Sequence, residues 1–212
     1  MADAFTFTFD GTTVNVPKDF HGYYLQFYQN NKFYEDEMLR HIQALNLRGT
    51  YIDVGGGTGN HSVFFAMFCA TKVHAFEPRD IHRNYFMSLV NANNMQDRIN
   101  LSPMAAGDHN GNMVTTFVAG NNTPVTGDVP CVKLDDVIID NDVKVIKIDV
   151  EGAEPAVLKG ALGILKRCKP ILYIEANTDP ELAEILAVLE PAGYAMTGKV
   201  FNHSPTYEFM AK

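Results

Sequence analysis

The sequence predicts a doubly wound α/β fold, with parallel strands alternating with helices on both faces of one sheet. Apolar runs of strand length alternate with segments of helical period between residues 33 and 193. The first of these runs, "TYIDVG", ends in a turn where four glycines fill the five positions 55 to 59, just before the next helix. The length of 212 residues, 46% hydrophobic and 20% charged, suits one well-filled core and is short for two, so a single domain over residues 1–212 is expected.

Residues 1–32 read as an irregular N-terminal arm or lid. "NNKFYEDEMLRHIQALNL" then carries Phe33, Met38, Leu39, Ile42 and Leu45 near helical spacing, with acids early and Arg40 and His41 late, as the helix dipole favours. A helix therefore precedes the first strand. Next come "TYIDVG" as strand, "NHSVFFAMFCA" as helix with Phe64, Phe65 and Phe68 in the core, "KVHAFEP" as strand, "RDIHRNYFMSLVNANNM" as helix and "INLSPMAAG" as strand. Short connections between these elements imply parallel pairing. Over residues 110–130, Asn, Gly, Thr and Pro surround short β-like runs, which reads as an inserted hairpin. The alternation resumes with "VKVIKIDVEG" as strand, "EPAVLKGALGILKRC" as helix, "PILYIEA" as strand and "DPELAEILAVLEPAGY" as helix. Asp179 would cap this last helix, Pro180 would take its first position, and Gly193 follows its end. The tail alternates about a turn near Asn202 to Pro205 and reads as an antiparallel hairpin.

A net charge of −8 repels phosphate backbones, and no Lys/Arg run offsets it, so nucleic acid is not an expected partner. Cys69, Cys131 and Cys168 are odd in number and far apart, which gives neither a disulfide framework nor a zinc site. The first residues lack a basic and apolar leader, and the longest apolar run, Val63 to Ala70, is far below membrane-spanning length. A cytoplasmic protein without a membrane partner is expected.

The glycine turn separates cofactor classes. A phosphate-binding GxxxxGK[ST] loop needs a Lys, and none lies between Gly55 and Ala70. The dinucleotide pattern GxGxxG/A started at Gly55 wants Gly or Ala at position 60, where the chain has Asn60. What remains is D-x-G-x-G-x-G, met by Asp53, Gly55, Gly57 and Gly59, where S-adenosylmethionine would lay its methionine part. Glu77, at the end of the second strand and followed by Pro78, is placed to accept hydrogen bonds from ribose hydroxyls. NAD would use the same acid. The plain structural alternative is a tight turn at Gly56 and Gly57 with Glu77 a solvated strand-end acid.

"YIDVGGGTGNHSVFFA", "VHAFEPRDIHRNYFMSLVNAN", "AAGDHNG", "VKLDDVI", "VIKIDVEGAEPAVLKGA" and "KPILYIEAN" follow one another over residues 33 to 195 in an order that resembles the FkbM family of S-adenosylmethionine-dependent O-methyltransferases. "KIDVEGAE" is its most specific element. The family's loop reads D-x-G-A-N-x-G, from which Gly56 and Thr58 depart. The resemblance implies a Rossmann-like class I methyltransferase sheet of order 3-2-1-4-5-7-6 with the last strand antiparallel, and methyl transfer to an oxygen of a saccharide or natural product. It also implies that Tyr34, Glu35 and Glu37 close over the cofactor, beside the alternative of a solvated first helical turn.

Methyl transfer is an in-line displacement that needs an aligned acceptor and a base for its hydroxyl proton. Strands four and five end in "IKIDVEGAE" and "YIEAN", which brings Asp149, Glu151, Glu154, Glu175 and Asn177 toward the glycine loop. Crowded carboxylates raise one another's pKa, as a base near neutral pH requires. Asp149, also placed to touch the cofactor, is the first choice for this role, with Glu175 second and His61, at the helix start, third. Asp149, Glu175 and Asn177 could instead hold a divalent metal such as Mg2+. Glu154 is read as a helix cap and Lys147 as the partner of a neighbouring acid. Ala105, with Met104, would flank adenine or lie in the core. Phe20, Tyr23, Tyr24, Phe27 and Tyr28 would form an acceptor-binding lid or an oligomer contact. The resulting expectation is a methyltransferase for a small hydroxylated acceptor. An NAD-dependent oxidoreductase, a non-catalytic S-adenosylmethionine-binding module and an RNA methyltransferase are the rivals, and oligomerisation stays open.

Overall fold

A computed structural model describes residues 5–18, 20, 23–118 and 124–212. The chain starts as an antiparallel hairpin of β1 (Phe5–Phe9) and β2 (Thr12–Val16), closed by Asp10 and Gly11 with φ of 46° and 77°. Two successive left-handed residues give the turn that matches strand twist, which is why Asp-Gly suits it. Phe7, Phe9, Val14 and Val16 are buried, and both phenylalanines meet Phe33 edge-on at 5.4 Å. The expectation of an irregular arm is thereby corrected: the alternation gives the hairpin one apolar side, and burying that side holds it in place. Two helices, α1 (Leu25–Gln29) and α2 (Asp36–Ala44), follow, and α2 buries Met38, Leu39 and Ile42.

The first βαβ units are β3 (Thr50–Val54), α3 (Asn60–Phe64) continuing as one π-helical turn over Phe65–Cys69, β4 (Lys72–Phe76), α4 (Asp80–Ala92) and β5 (Ile99–Ser102). "INLSPMAAG" does not stay one strand. Pro103 has no N–H for the ladder, so pairing ends at Ser102, and β6 (Ala105–Ala106) joins a separate sheet with the hairpin β7 (Gly111–Val118) and β8 (Pro124–Val132). Residues 119–123 of the expected insertion lie outside the described residues.

After α5 (Leu134–Val137) and β9 (Val143–Ile148), "EPAVLKGALGILKRC" forms two helices, α6 (Glu154–Lys159) and α7 (Leu162–Cys168). The break falls at Gly160, where an added Cβ would lie 1.9 Å from the Gly107 carbonyl oxygen, so only a glycine passes there. Then come β10 (Ile171–Glu175), α8 (Asp179–Leu189), β11 (Tyr194–Phe201) and β12 (Thr206–Ala211). Thr178, not Asp179, caps α8: its hydroxyl accepts from the Glu181 N–H while the Glu181 side chain accepts from the Thr178 N–H.

The main sheet runs β11-β12-β10-β9-β3-β4-β5, and its members β5, β4, β3, β9 and β10 pair in parallel while β12 is antiparallel to both neighbours. On one face Tyr51, Val73, Ala75, Val145 and Tyr173 pack against the hairpin, α2, α3 and α4; on the other, Ile52, Val54, Ile146, Ile148, Leu172 and Ile174 pack against α5 to α8. Each buried Val, Ile or Leu among them contributes about 1.5–3 kcal/mol of burial. Chain order reverses between β3 and β9, so the crevice at their carboxyl ends is the natural binding place. Among the described residues no helix is long and apolar enough to cross a membrane.

Candidate active site

Strand alternation and register gather the first group of polar side chains. Asp53 on β3 stands opposite Lys147 on β9, which stands opposite Tyr173 on β10. Residues two apart share a face, so Asp149, just past β9, and Glu175, ending β10, lie on this side too. Lys147 is 2% exposed, with Nζ 3.0 Å from Asp149 Oδ2 and 4.0 Å from Asp53 Oδ1. Burial alone would lower the Lys147 pKa, but Asp149, Asp53 and Glu35 hold it above the ordinary lysine value. Burial likewise works to raise Asp149, and the ammonium beside it prevails and keeps it well below the carboxylate range. Glu175 moves the other way: burial and the neighbouring Asp149 push it up to about 8, so at neutral pH it keeps its proton.

The segment before β3 covers this group. Asn60, expected to touch a cofactor, instead clamps Tyr34: its Oδ1 accepts from the Tyr34 N–H at 3.0 Å, and its Nδ2 donates to the Tyr34 carbonyl at 3.0 Å. His61, expected as a base, pairs through Nε2 with Glu35 Oε2 at 2.8 Å, both side chains buried. Burial raises Glu35, but the His61 hydrogen bond and charge bring it below the ordinary value. Glu37 is exposed on α2. Asp53 is also structural at this level, since its Oδ2 accepts from Ser62 Oγ on α3 at 2.6 Å.

The glycine turn divides by position. At Gly55 an added Cβ would sit 1.8 Å from the Asp149 carbonyl oxygen, and at Gly56 and Gly59 it would strike the Phe86 ring at 2.8 and 2.7 Å. These three glycines serve the packing of the loop on its own protein. Gly57, with φ 52°, differs: only the Tyr24 hydroxyl, at 3.8 Å, lies near its missing side chain. Gly57 faces a cavity of about 540 Å3, lined also by Gly55, Tyr24, Glu77, Pro78, Ala105 and Asp149. Asn60, His61 and Glu175 do not line it; Glu175 is reached through Asp149. Met104 lies instead on a neighbouring cavity of about 290 Å3.

Glu77 is 2% exposed, and its carboxylate accepts from the Gly57 N–H and the Arg79 N–H, each at 2.9 Å. His82 Nδ1 stands 3.7 Å away, within ion-pair reach. Burial raises Glu77, yet His82 and Arg79 bring it below its ordinary value, so it is ionised at the cavity wall. Arg79, His82, Met113 and Val114 on the same wall were not foreseen. The first two had a signal, since they follow the strand-terminal acid at the start of a helix; the last two arrive from the hairpin by tertiary packing alone.

The metal alternative finds no support. Among the described residues no group of three or more His, Cys, Asp or Glu side chains is placed to hold a metal ion. Asp149 already holds an ammonium, Glu175 keeps a proton, and Asn177 Nδ2 donates to Glu175 Oε1 at 3.0 Å. Such a set does not offer the free ionised oxygens that a divalent cation needs. Glu154 does not cap α6, whose cap is Ala153 without a side-chain bond; as the first residue of that helix its carboxylate accepts instead from the N–H groups of Val150 and Gly152 in the preceding loop, at 3.0 and 3.2 Å.

Residues 53–196 match the model of the methyltransferase FkbM domain. No curated protein matches the chain. Among solved structures, a methyltransferase FkbM from Methylobacillus flagellatus is similar at TM-score 0.56 and 22% identity, over 76% of this chain and 43% of that one. The chain thus spans less than half the length of that protein. A SAM-dependent O-methyltransferase from Thermotoga maritima matches at TM-score 0.57 and 12% identity, over 89% of this chain and 69% of that one. A putative methyltransferase from Streptococcus mutans, in complex with SAH, matches at TM-score 0.54 and 14% identity, over 84% of this chain and 96% of that one. At these identities the solved structures speak for the fold.

Proposed function

This chain belongs to the FkbM methyltransferase family, and we propose that it binds S-adenosylmethionine at the turn between β3 and α3 and methylates a hydroxyl of a small acceptor, a saccharide or a secondary metabolite. The observation that carries the proposal is Glu77, an ionised, nearly buried carboxylate on the wall of a cavity of about 540 Å3, next to the open Gly57. That volume suits a nucleoside-sized ligand. The residues fit the cofactor: Glu77 would accept from the ribose hydroxyls, Pro78 and Ala105 would give apolar surface beside the adenine, and Gly57 leaves room for the methionine part. The complex of the Streptococcus mutans neighbour with SAH supports this assignment.

When bound, the cofactor supplies a methyl group on a positively charged sulfur. The chain's own work is to orient the acceptor and remove its proton. Asp149 faces the cavity and is kept ionised by Lys147, so it receives the hydroxyl proton. Alone it is a weak base, because the ammonium that holds it ionised also lowers its proton affinity. Glu175, coupled to it, takes the proton on once it has lost its own, which sets a pair rather than a single residue as the base. The net charge of −8 favours a small molecule over nucleic acid as acceptor.

The test is thermal unfolding with S-adenosylmethionine, S-adenosylhomocysteine, NAD and ATP in turn, repeated on Glu77→Ala. A ligand at about 100 times its dissociation constant adds roughly 2.7 kcal/mol. The proposal expects a shift with the two S-adenosyl compounds alone, lost in Glu77→Ala. A shift with NAD, or with none of the four, overturns it.

A further inference from the structure

The family match begins at Asp53, yet one wall of the cavity comes from before it. Tyr24 lines the cavity and overhangs Gly57. Its ring lies 4.9 Å from that of Tyr34 and 6.1 Å from that of Tyr23, and Tyr23 and Tyr34 meet edge-on at 5.4 Å. Core packing accounts for Phe7, Phe20, Tyr28 and Phe33, which are between 0% and 3% exposed, while the partly buried Phe27 meets Tyr23 and Tyr34 edge-on at 5.4 and 5.1 Å. It does not account for Tyr23, which is 64% exposed. A cluster of aromatic rings left open beside a cavity is the kind of surface that binding uses.

The position of this wall is held from below. The two hydrogen bonds from Asn60 fix the Tyr34 main chain, and the buried Glu35–His61 pair fixes the next residue, which itself sits in the left-handed region at φ 62°. Three polar side chains, Asn60 and His61 on α3 and Glu35 before α2, are thus committed to placing the wall, the type of support that a specificity surface needs. Of the charges on the cavity wall, Asp149, Glu151 and Glu77 are carboxylates and Arg79 and His82 stand beside Glu77, while the buried Glu35, paired with His61, and Asp53 lie near Lys147.

We infer that Tyr23, Tyr24 and Tyr34 form the acceptor-binding wall and take an uncharged hydroxylated ring laid against their faces. This rests on the methyltransferase proposal above. The C–H face of such a ring meets the negative face of the tyrosines, and its hydroxyls point toward Asp149. Rings bearing phosphate or carboxylate are turned away by the carboxylates. The wall lies before the matched family region of residues 53–196, so acceptor choice is set by residues outside the cofactor half.

The experiment uses the full chain saturated with S-adenosylhomocysteine and ligand-observed saturation-transfer NMR, with phenyl β-D-glucopyranoside and its anionic twin, phenyl β-D-glucuronide, as probes. The inference expects transfer to the ring protons of the neutral glycoside and at least tenfold weaker binding of the glucuronide. Tyr34→Ala and the solvent-facing Tyr23→Ala should each weaken the glycoside at least tenfold, with the thermal shift by S-adenosylhomocysteine confirming a folded, loaded protein. No transfer to the neutral glycoside, equal binding of the two probes, or glycoside binding undiminished in both variants overturns it. If S-adenosylhomocysteine fails to stabilise the wild-type chain, the methyltransferase proposal falls first and the wall falls with it. The two failures are thereby told apart.

Discussion

Asp149 and Glu175 have the same functional group and opposite behaviour, because one of them sits 3.0 Å from the Lys147 ammonium and the other sits against a carboxylate. Two predictions follow from that asymmetry. The methyl-transfer rate should climb as pH rises through about 8, and Glu175→Gln should lower it and remove that limb, as a pH–rate profile would report. Stability should run the other way. The folded chain keeps a proton on Glu175 that the unfolded chain releases near the ordinary value of 4.5, so the stability this group contributes is full below that value and is lost as pH rises toward 8. Urea midpoints of the wild type should therefore fall more steeply over this window than those of Glu175→Gln. Lys147→Met should cost about 3–5 kcal/mol in urea unfolding, because it leaves Asp53 and Asp149 as carboxylates without their cation. The acids could be read in the sequence at the ends of their strands. Their unequal protonation could not, since it depends on which strand lies beside which.

The turn between β3 and α3 shows how one element mixes two duties. Gly55→Ala drives a methyl group into the Asp149 carbonyl and should destabilise the chain by about 3 kcal/mol by urea unfolding. Gly57→Ala meets no atom closer than 3.8 Å and should cost only about 1 kcal/mol, for its left-handed backbone, while abolishing the thermal shift by S-adenosylmethionine. If both variants destabilise equally and Gly57→Ala still binds the cofactor, Gly57 has no part in the site. The glycine spacing alone marked the turn but gave Gly55, Gly57 and Gly59 alike to the ligand, because sequence does not reveal that the Asp149 carbonyl crowds Gly55 and the Phe86 ring crowds Gly59. Elsewhere the signal was present and outweighed. "FDGT" between alternating apolar residues marks the β1–β2 hairpin, and the Thr178/Glu181 pair marks the start of α8 one residue before Asp179.

Across the whole molecule, the N-terminal hairpin joins the site to the core. Phe9 packs on Phe33, Phe64 and Phe68 at 5.4, 5.5 and 5.1 Å, and the Arg40 guanidinium lies 4.2 Å over its ring. Phe9→Ala should cost about 3–5 kcal/mol, read by chemical denaturation. A loss under 1 kcal/mol would mean that the hairpin is not integral to the fold. The sequence by itself determined the alternation of strands and helices, the glycine turn, the strand-terminal Glu77 and the acids after β9 and β10. These follow from periodicity and turn chemistry, which act between residues near in sequence. Only the tertiary structure decided that Asn60 and His61 serve Tyr34 and Glu35, that the acids beside Lys147 are Asp149 and Asp53, and that Tyr24 of the aromatic group lines the cavity. Those outcomes depend on strand register and on a segment folding back over the sheet from 26 or more residues away, and contacts at such separation leave no period in the chain.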